Sequence, residues 1–358
     1  MSGVTEVDSV DVSTTLAPAS IGTLKVRNRI MMSPMCQHRA NGDGRPNDWH
    51  LVHYGSRSVG NVGVIMLEDT AVLPDGRLGN GGLGLYDDAQ VAPFKRVIDF
   101  CHTNGATVGV QIGHCARKAF LVDGIEEAAA HDTIAPSAIP FNPESPVPRA
   151  LEISEIPGII EAFVAASRRA VAAGVDFIEI HGAHGYLLHE FLSAAANTRQ
   201  DEYGGDLAGR ARLLLEVVRA VRKDLGEDMP LSVRLSATDL VEGGNELEDS
   251  VQVAKWLRDE GVTLIDVTSG GLTSSPIGAH SVKQPALAAA IREQAGIATV
   301  GVGGVNTIGD ADALINEGAC DIVGIGRALL RNPFWVREVE GSLVGFRPEP
   351  HEKYRGMD

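Results

Sequence analysis

Short, nearly uninterrupted apolar runs alternate with longer amphipathic stretches through most of this chain. Runs such as VGVIML and FIEI lack the polar alternation of a half-exposed strand, so they imply strands buried on both faces, as in a parallel sheet. Eight such runs stand out, at Arg29–Ser33, Gly63–Leu67, Thr107–Ile112, Phe177–His181, Leu231–Leu235, Leu264–Thr268, Thr299–Val302 and Asp321–Ile325. Helical spacing predicts helices over Gln90–Thr103, Ile156–Ala173, Gly209–Asp224, Leu247–Asp259, Ala286–Gln294 and Ile308–Glu317. Several end in a glycine (Gly105, Gly174, Gly261, Gly318), the residue that most easily adopts the left-handed turn closing a helix.

This alternation predicts an α/β fold, a (β/α)8 TIM barrel. An open doubly wound sheet is the competitor, but it should carry G-x-G-x-x-G after its first strand, where this chain has SPMCQH. After the third strand the pattern breaks for residues 113–154, a stretch that includes APSAIPFNPESPVP. A connection of that length is expected to be a capping insertion over the C-terminal mouth of the barrel. Residues 1–14 read as a disordered tail, 15–340 as the barrel, and 341–358 as a C-terminal tail.

Composition narrows the function classes. The 358 residues are 44% hydrophobic and 22% charged, which suits a large globular core. A net charge of −16 argues against general nucleic-acid or anionic-membrane binding while allowing a local phosphate pocket. The N-terminus lacks the pattern of a secretory signal, and no apolar run approaches the roughly 20 residues of a membrane span. Cys36, Cys101, Cys115 and Cys320 are scattered without C-x-x-C spacing, so a reduced, cytoplasmic protein is expected.

Two clusters carry chemistry. GVGGVNT (301–307) and GIGRALL (324–330) follow the last two strands, where barrels of this kind commonly bind phosphate. Glycines there can merely end strands, but two such turns joined by Arg327 point to a phosphorylated ligand. The fourth strand ends in IEIHGAHGYLLHEFLS, which gathers His181, His184, Tyr186 and His189 at the mouth. A zinc site is one reading, but H-E-x-x-H is missing, as is a paired H-x-H on the first strand. A packed polar strand end is another. The third is a substrate clamp, in which two imidazoles donate hydrogen bonds to an oxygen gaining charge and a phenol supplies a proton. Such a clamp suits electron transfer into a conjugated carbonyl or nitro compound.

The motifs SPMC (33–36), NDWHLVHYGSR (47–57), QIGHCARKA (111–119), HGAHGYLLHEFLS (181–193), DEYGG (201–205) and GIGRALL (324–330) together resemble the old yellow enzyme family, and most nearly its bacterial cysteine-containing branch. The resemblance runs in order from about Leu16 to Trp335. It implies bound FMN, with NADPH or NADH as electron donor, and reduction of electron-poor C=C bonds. Carried over, Ser33, Pro34, Met35 and Cys36 would line the flavin, and Gln111 and Arg234 would bond its pyrimidine edge. A structural ion pair is the plainer reading of Arg234, as a small buried hydrophobe is of Cys36. Gly303, Gly304, Gly326 and Arg327 would hold the phosphate; His181 and His184 would bind the substrate oxygen, and Tyr186 would supply the α-proton. Lys118 resembles a family lysine near the site.

Three positions depart from the family pattern. His38 stands where that branch has a substrate-contacting tyrosine, Asp69 where a small or uncharged residue lies beside the flavin, and Gly182 where a bulkier residue separates the histidines. The tail residues Arg355-Gly356 resemble an arginine finger that enters a neighbouring subunit's pocket in a homodimer or homotetramer, but Met357 stands where that motif has an aromatic, and a disordered tail is the other reading. Desaturation, isomerisation and nitro or nitrate-ester reduction are alternative chemistries for an FMN barrel. A flavin-free barrel hydrolase or metal-dependent lyase is the alternative from another class.

Overall fold

The computed structural model describes residues 13–274 and 283–341. Eight parallel strands close on themselves: β1 (Ile30–Met32), β2 (Val64–Ala71), β3 (Thr107–Gly113), β4 (Phe177–Gly182), β5 (Leu231–Ser236), β6 (Leu264–Thr268), β7 (Ala298–Val302) and β8 (Ile322–Ile325). Closure comes from β1, which pairs with β8 on one side and β2 on the other. The expected TIM barrel is therefore the observed fold, with all eight strand positions recovered to within a few residues.

Outer helices follow the strands in turn: α1 (Asp48–Val59), α2 (Val91–Thr103), α3 (Ile156–Ala173), α4 (Leu207–Leu225), α5 (Leu247–Asp259), α6 (Gln284–Ala295) and α7 (Ile308–Asn316). The glycines closing α2, α3, α5 and α7 (Gly105, Gly174, Gly261 and Gly318) all have φ between +71° and +96°. Apolar spacing alone does not mark α1. Its start is fixed by Asn47, whose side chain accepts from the Trp49 N–H at 3.0 Å while His50 Nδ1 accepts from the Asn47 N–H at 3.1 Å. Its buried face carries His50, His53, Tyr54 and Arg57, so polar residues occupy core positions.

A hairpin of Ala19–Ile21 and Leu24–Val26 stoppers the N-terminal end of the barrel. Its Ile21, Leu24 and Val26 pack with Met31, Met66, Phe177 and Val300 from inside the barrel. Burying a ring such as Phe177 contributes roughly 1.5–3 kcal/mol. Gly109 must lack a side chain for this, because a Cβ there would lie 2.4 Å from the Phe177 ring.

The β2–β3 register shifts between Leu67 and Thr70, so Glu68 and Asp69 sit in an irregularity at the C-terminal end of β2. Such bulges re-aim side chains beside sites. The insertion after β3 folds over the same end as short helical turns and one two-residue strand pair (Ile134–Ala135 with Arg149–Ala150). Among the described residues no helix is long and apolar enough to cross a membrane.

Candidate active site

The loops after β7 and β8 and the segment after β1 enclose a cavity of about 440 Å³. Eight of the expected cofactor residues line it: Ser33, Pro34, Met35, Arg234, Gly303, Gly304, Gly326 and Arg327. Gly303 and Gly304 have φ of +105° and +77°, a backbone that side chains resist and that turns amides toward a ligand. Gly326 caps the short helix Arg327–Arg331, and exposed Arg327 adds charge at the rim. The Ser33 hydroxyl is buried without a partner in the protein. An open glycine cradle, a guanidinium and an orphaned hydroxyl suit a phosphorylated cofactor.

Deeper in the barrel, Gln111 donates its side-chain N–H to Glu179 at 2.9 Å, which leaves its amide oxygen available to a ligand. Ser232 donates to the other Glu179 oxygen at 2.9 Å. Burial, reinforced by the neighbouring Asp266 carboxylate, pushes the Glu179 carboxyl up. Arg234 Nε lies 3.1 Å from Asp266, so the structural ion pair and the place at the cavity wall are both real features of Arg234.

The β4 end brings His181, His184 and Tyr186 together. The His181 ring centroid lies 4.6 Å from that of Tyr186 and 5.4 Å from that of His184. Burial first, and the charge of Arg234 second, hold both imidazoles well below their ordinary range, so both are neutral. His181 Nδ1 accepts from the Ala183 N–H at 3.2 Å, which fixes Nε2 as its N–H donor. His184 sits at φ +58°, with its backbone N–H on the Ser236 hydroxyl at 3.0 Å and Nε2 3.0 Å from the Thr268 hydroxyl. Burial pushes the Tyr186 phenol well above its usual range and keeps it protonated.

His189 does not join the clamp. Its Nδ1 accepts from the Gly185 N–H at 2.7 Å, and its Nε2 hydrogen-bonds Asp239 at 2.7 Å. Burial works to raise the Asp239 carboxyl, but His189, Ser193 and the Asn245 N–H offset it and hold it below the usual range. This brace fixes the turn between His184 and Tyr186. Lys118 reaches in from the cap, donating to the His184 carbonyl at 2.8 Å and the Gly271 carbonyl at 3.1 Å, with its ammonium 5.3 Å from the Tyr186 ring.

Asp69 and Cys115 acquire meaning only in three dimensions. Burial pushes Asp69 up to about 7. The Cys115 thiol donates to Asp69 Oδ2 at 3.4 Å and packs against Tyr186 in a buried cluster. Cys36 is partly exposed beside the cavity, and burial together with the nearby Glu68 and Asp69 carboxylates pushes its thiol up. His38 is exposed at φ +52°, its backbone packed under Gly81, and it is not part of the cavity wall. Gly182 packs under the Arg234 carbonyl, which a Cβ would approach to 3.1 Å. Arg355 and the tail beyond Gly341 lie outside the described residues, as do residues 1–12 of the expected N-terminal tail.

A closed eight-stranded barrel with a phosphate cradle and a histidine–tyrosine cluster at one mouth defines a cofactor-binding barrel oxidoreductase. The chain belongs to the NADH:flavin oxidoreductase / NADH oxidase family, the old yellow enzyme family, whose model matches residues 15–344. Family membership makes FMN its cofactor. Among solved structures it is similar to morphinone reductase, at 26% identity over 92% of this chain and 90% of that one, with a TM-score of 0.79. The old yellow enzyme homologue from Zymomonas mobilis matches at 26% identity over 92% and 93% of the two chains, TM-score 0.77. A 2-naphthoyl-CoA reductase complex shares the fold, at 24% identity and a TM-score of 0.85; this chain covers 92% of its own length and 52% of that protein's, about half.

Proposed function

We propose that this enzyme uses NADPH or NADH to reduce the activated C=C bond of an enone-type substrate. The observation that carries this reading is the neutral imidazole pair and protonated phenol gathered within 5.4 Å at the mouth. Morphinone reductase, which has been solved with tetrahydroNAD bound, supports a nicotinamide donor.

FMN, when bound, would supply hydride to the substrate β-carbon. Gly303, Gly304, Gly326 and Arg327 would hold its phosphate, the segment Ser33–Cys36 would flank its ring, and Gln111 and Arg234 would meet its pyrimidine edge. His181 Nε2–H and His184 bind the carbonyl oxygen of the substrate and stabilise the charge it gains. Tyr186 protonates the α-carbon. The cap, tied down by Arg117 and Lys118, limits water at the site.

The test is direct. Purified protein should be yellow, bleach anaerobically on adding NADPH or NADH, and regain colour on adding 2-cyclohexenone. A colourless protein that cannot be reconstituted with FMN, or bleached enzyme indifferent to enones and nitro compounds, would overturn the reading.

A further inference from the structure

Tyr186 does not stand alone: its phenol meets Cys115, and Cys115 meets Asp69. All three side chains are buried, and Asp69 Oδ1 has no hydrogen-bond partner in the protein. The thiol donates to the Asp69 carboxylate at 3.4 Å, and Cys115 packs with Tyr186 in one buried cluster. The S–H turned to the carboxylate leaves a sulfur lone pair on the side of the phenol O–H.

Resting on the reductase reading above, we propose that Asp69, acting through the Cys115 thiol, sets the polarity of a three-residue proton chain and so decides whether Tyr186 works as an acid or as a base. With the Asp69 carboxyl protonated, its O–H turns to sulfur, the S–H turns to the phenol oxygen, and the phenol O–H faces the substrate. Reduction then moves one proton along the chain: Tyr186 gives its proton to the α-carbon, Cys115 reprotonates Tyr186, and Asp69 reprotonates Cys115. Hydride from the bound flavin supplies the electron pair to the β-carbon. With Asp69 ionised every transfer reverses: Tyr186 takes the α-proton of a saturated ketone and the chain delivers a proton to Asp69, while oxidised flavin, when bound, would serve as the hydride acceptor. Asp69 and Cys115 are positioning residues, since each acts through Tyr186.

The surroundings allow this titration near neutrality. Burial raises Asp69 to about 7. Its own strand supplies Glu68, whose oxygens are taken by the Tyr54 hydroxyl and the Gln37 N–H at 2.9 and 2.7 Å. Facing groups are Cys36 after β1, Cys115 in the cap, and His181 and Tyr186 from β4; behind them lie Lys118 in the cap, His184 from β4 and Arg234 from β5. Of these, the imidazoles are neutral, and burial lowers the Lys118 ammonium and raises both thiols. The His114 ring turns to Asp75, at 3.6 Å.

Two measurements decide it. First, the infrared S–H stretching band of Cys115 in FMN-free protein, assigned by difference against Cys115→Ser, should shift with a midpoint at about pH 7 in the parent and stay fixed in Asp69→Asn. Second, the rate at which 2-cyclohexenone restores colour to reduced holoenzyme should bend at the same midpoint, falling about tenfold per pH unit above it. That bend should vanish in Asp69→Asn and Cys115→Ala and persist in Cys115→Ser, whose hydroxyl keeps a donor and an acceptor in the chain. A pH-invariant S–H band overturns the proposal even if enone reduction is confirmed, as does an identical bend in Asp69→Asn. If the protein reduces no enone, the infrared arm still decides the chain's polarity on its own.

Discussion

Arg117 Nε and a Glu190 carboxylate oxygen meet at 3.1 Å, both almost wholly buried, beneath the cap. The same guanidinium donates to the carbonyls of Ile139 and Leu272 at 3.1 and 2.8 Å, stitching the cap to the end of β6. Removing one member of a buried pair leaves the other charge uncompensated, at a cost of roughly 3–5 kcal/mol. Arg117→Leu should lose stability on that scale in urea titration, and limited proteolysis should cut first within residues 119–150. The double variant Arg117→Leu/Glu190→Leu should recover part of the loss. Equal stability of the single variant and the parent would show that the pair contributes little.

Tyr186→Phe removes the proton donor but keeps the ring packed against His181. Enone-dependent reoxidation should slow by about 10²–10⁴-fold, the usual worth of a positioned general acid. Bleaching by the nicotinamide donor needs no phenol proton and should proceed at the parent rate. Stopped-flow absorbance separates the two half-reactions.

The glycine cradle makes a separate claim about the cofactor. Gly304 has φ +77° with open space beyond its Cα, so Gly304→Val strains the loop and pushes a side chain toward the phosphate. FMN affinity, read by quenching of flavin fluorescence, should fall at least tenfold, about 1.4 kcal/mol. An unchanged Kd would place the phosphate elsewhere.

Asp69 also leaves a mark on stability. Its carboxyl is raised in the folded protein from 3.8 to about 7, so folding favours its neutral form. That contribution is complete below pH 4 or so and is lost as pH rises through about 7. Asp69→Asn should therefore match the parent near pH 4 and exceed it near pH 8, by up to about 4 kcal/mol. Chemical denaturation of the FMN-free proteins at both pH values checks the sign.

The barrel was legible because its strands are buried on both faces and read as apolar runs that no helix period explains. Helix α1 was not, because its inward face is built from His50, His53 and Arg57, which pattern reading assigns to a surface. The glycine-lined cavity was legible from local glycine spacing, and the meeting of His181, His184 and Tyr186 from their crowding at one strand end. His189 shows the limit of that crowding: its ring turns to Asp239, 50 residues away in sequence. Cys115 was ambiguous for the same reason, since its partner Asp69 lies 46 residues earlier and meets it only where the β2 register slips. Burial raised the Asp69 carboxyl, and burial of one carboxyl is a property of the closed barrel that no local pattern encodes.

Closure of the barrel has a consequence for synthesis. The Val323 N–H donates to the Arg29 carbonyl at 2.8 Å, and β8 completes the sheet against β1. A nascent chain halted before residue 322 would present β1 and β7 as two open edges, each a template for pairing with another copy. Ser33 and Pro34 leave β1, while Gly326 and Arg327 leave β8, so the cofactor pocket joins the first strand made to the last. Flavin bound in that pocket could be captured only after β8 has been made, and its binding would then hold the barrel's two ends together.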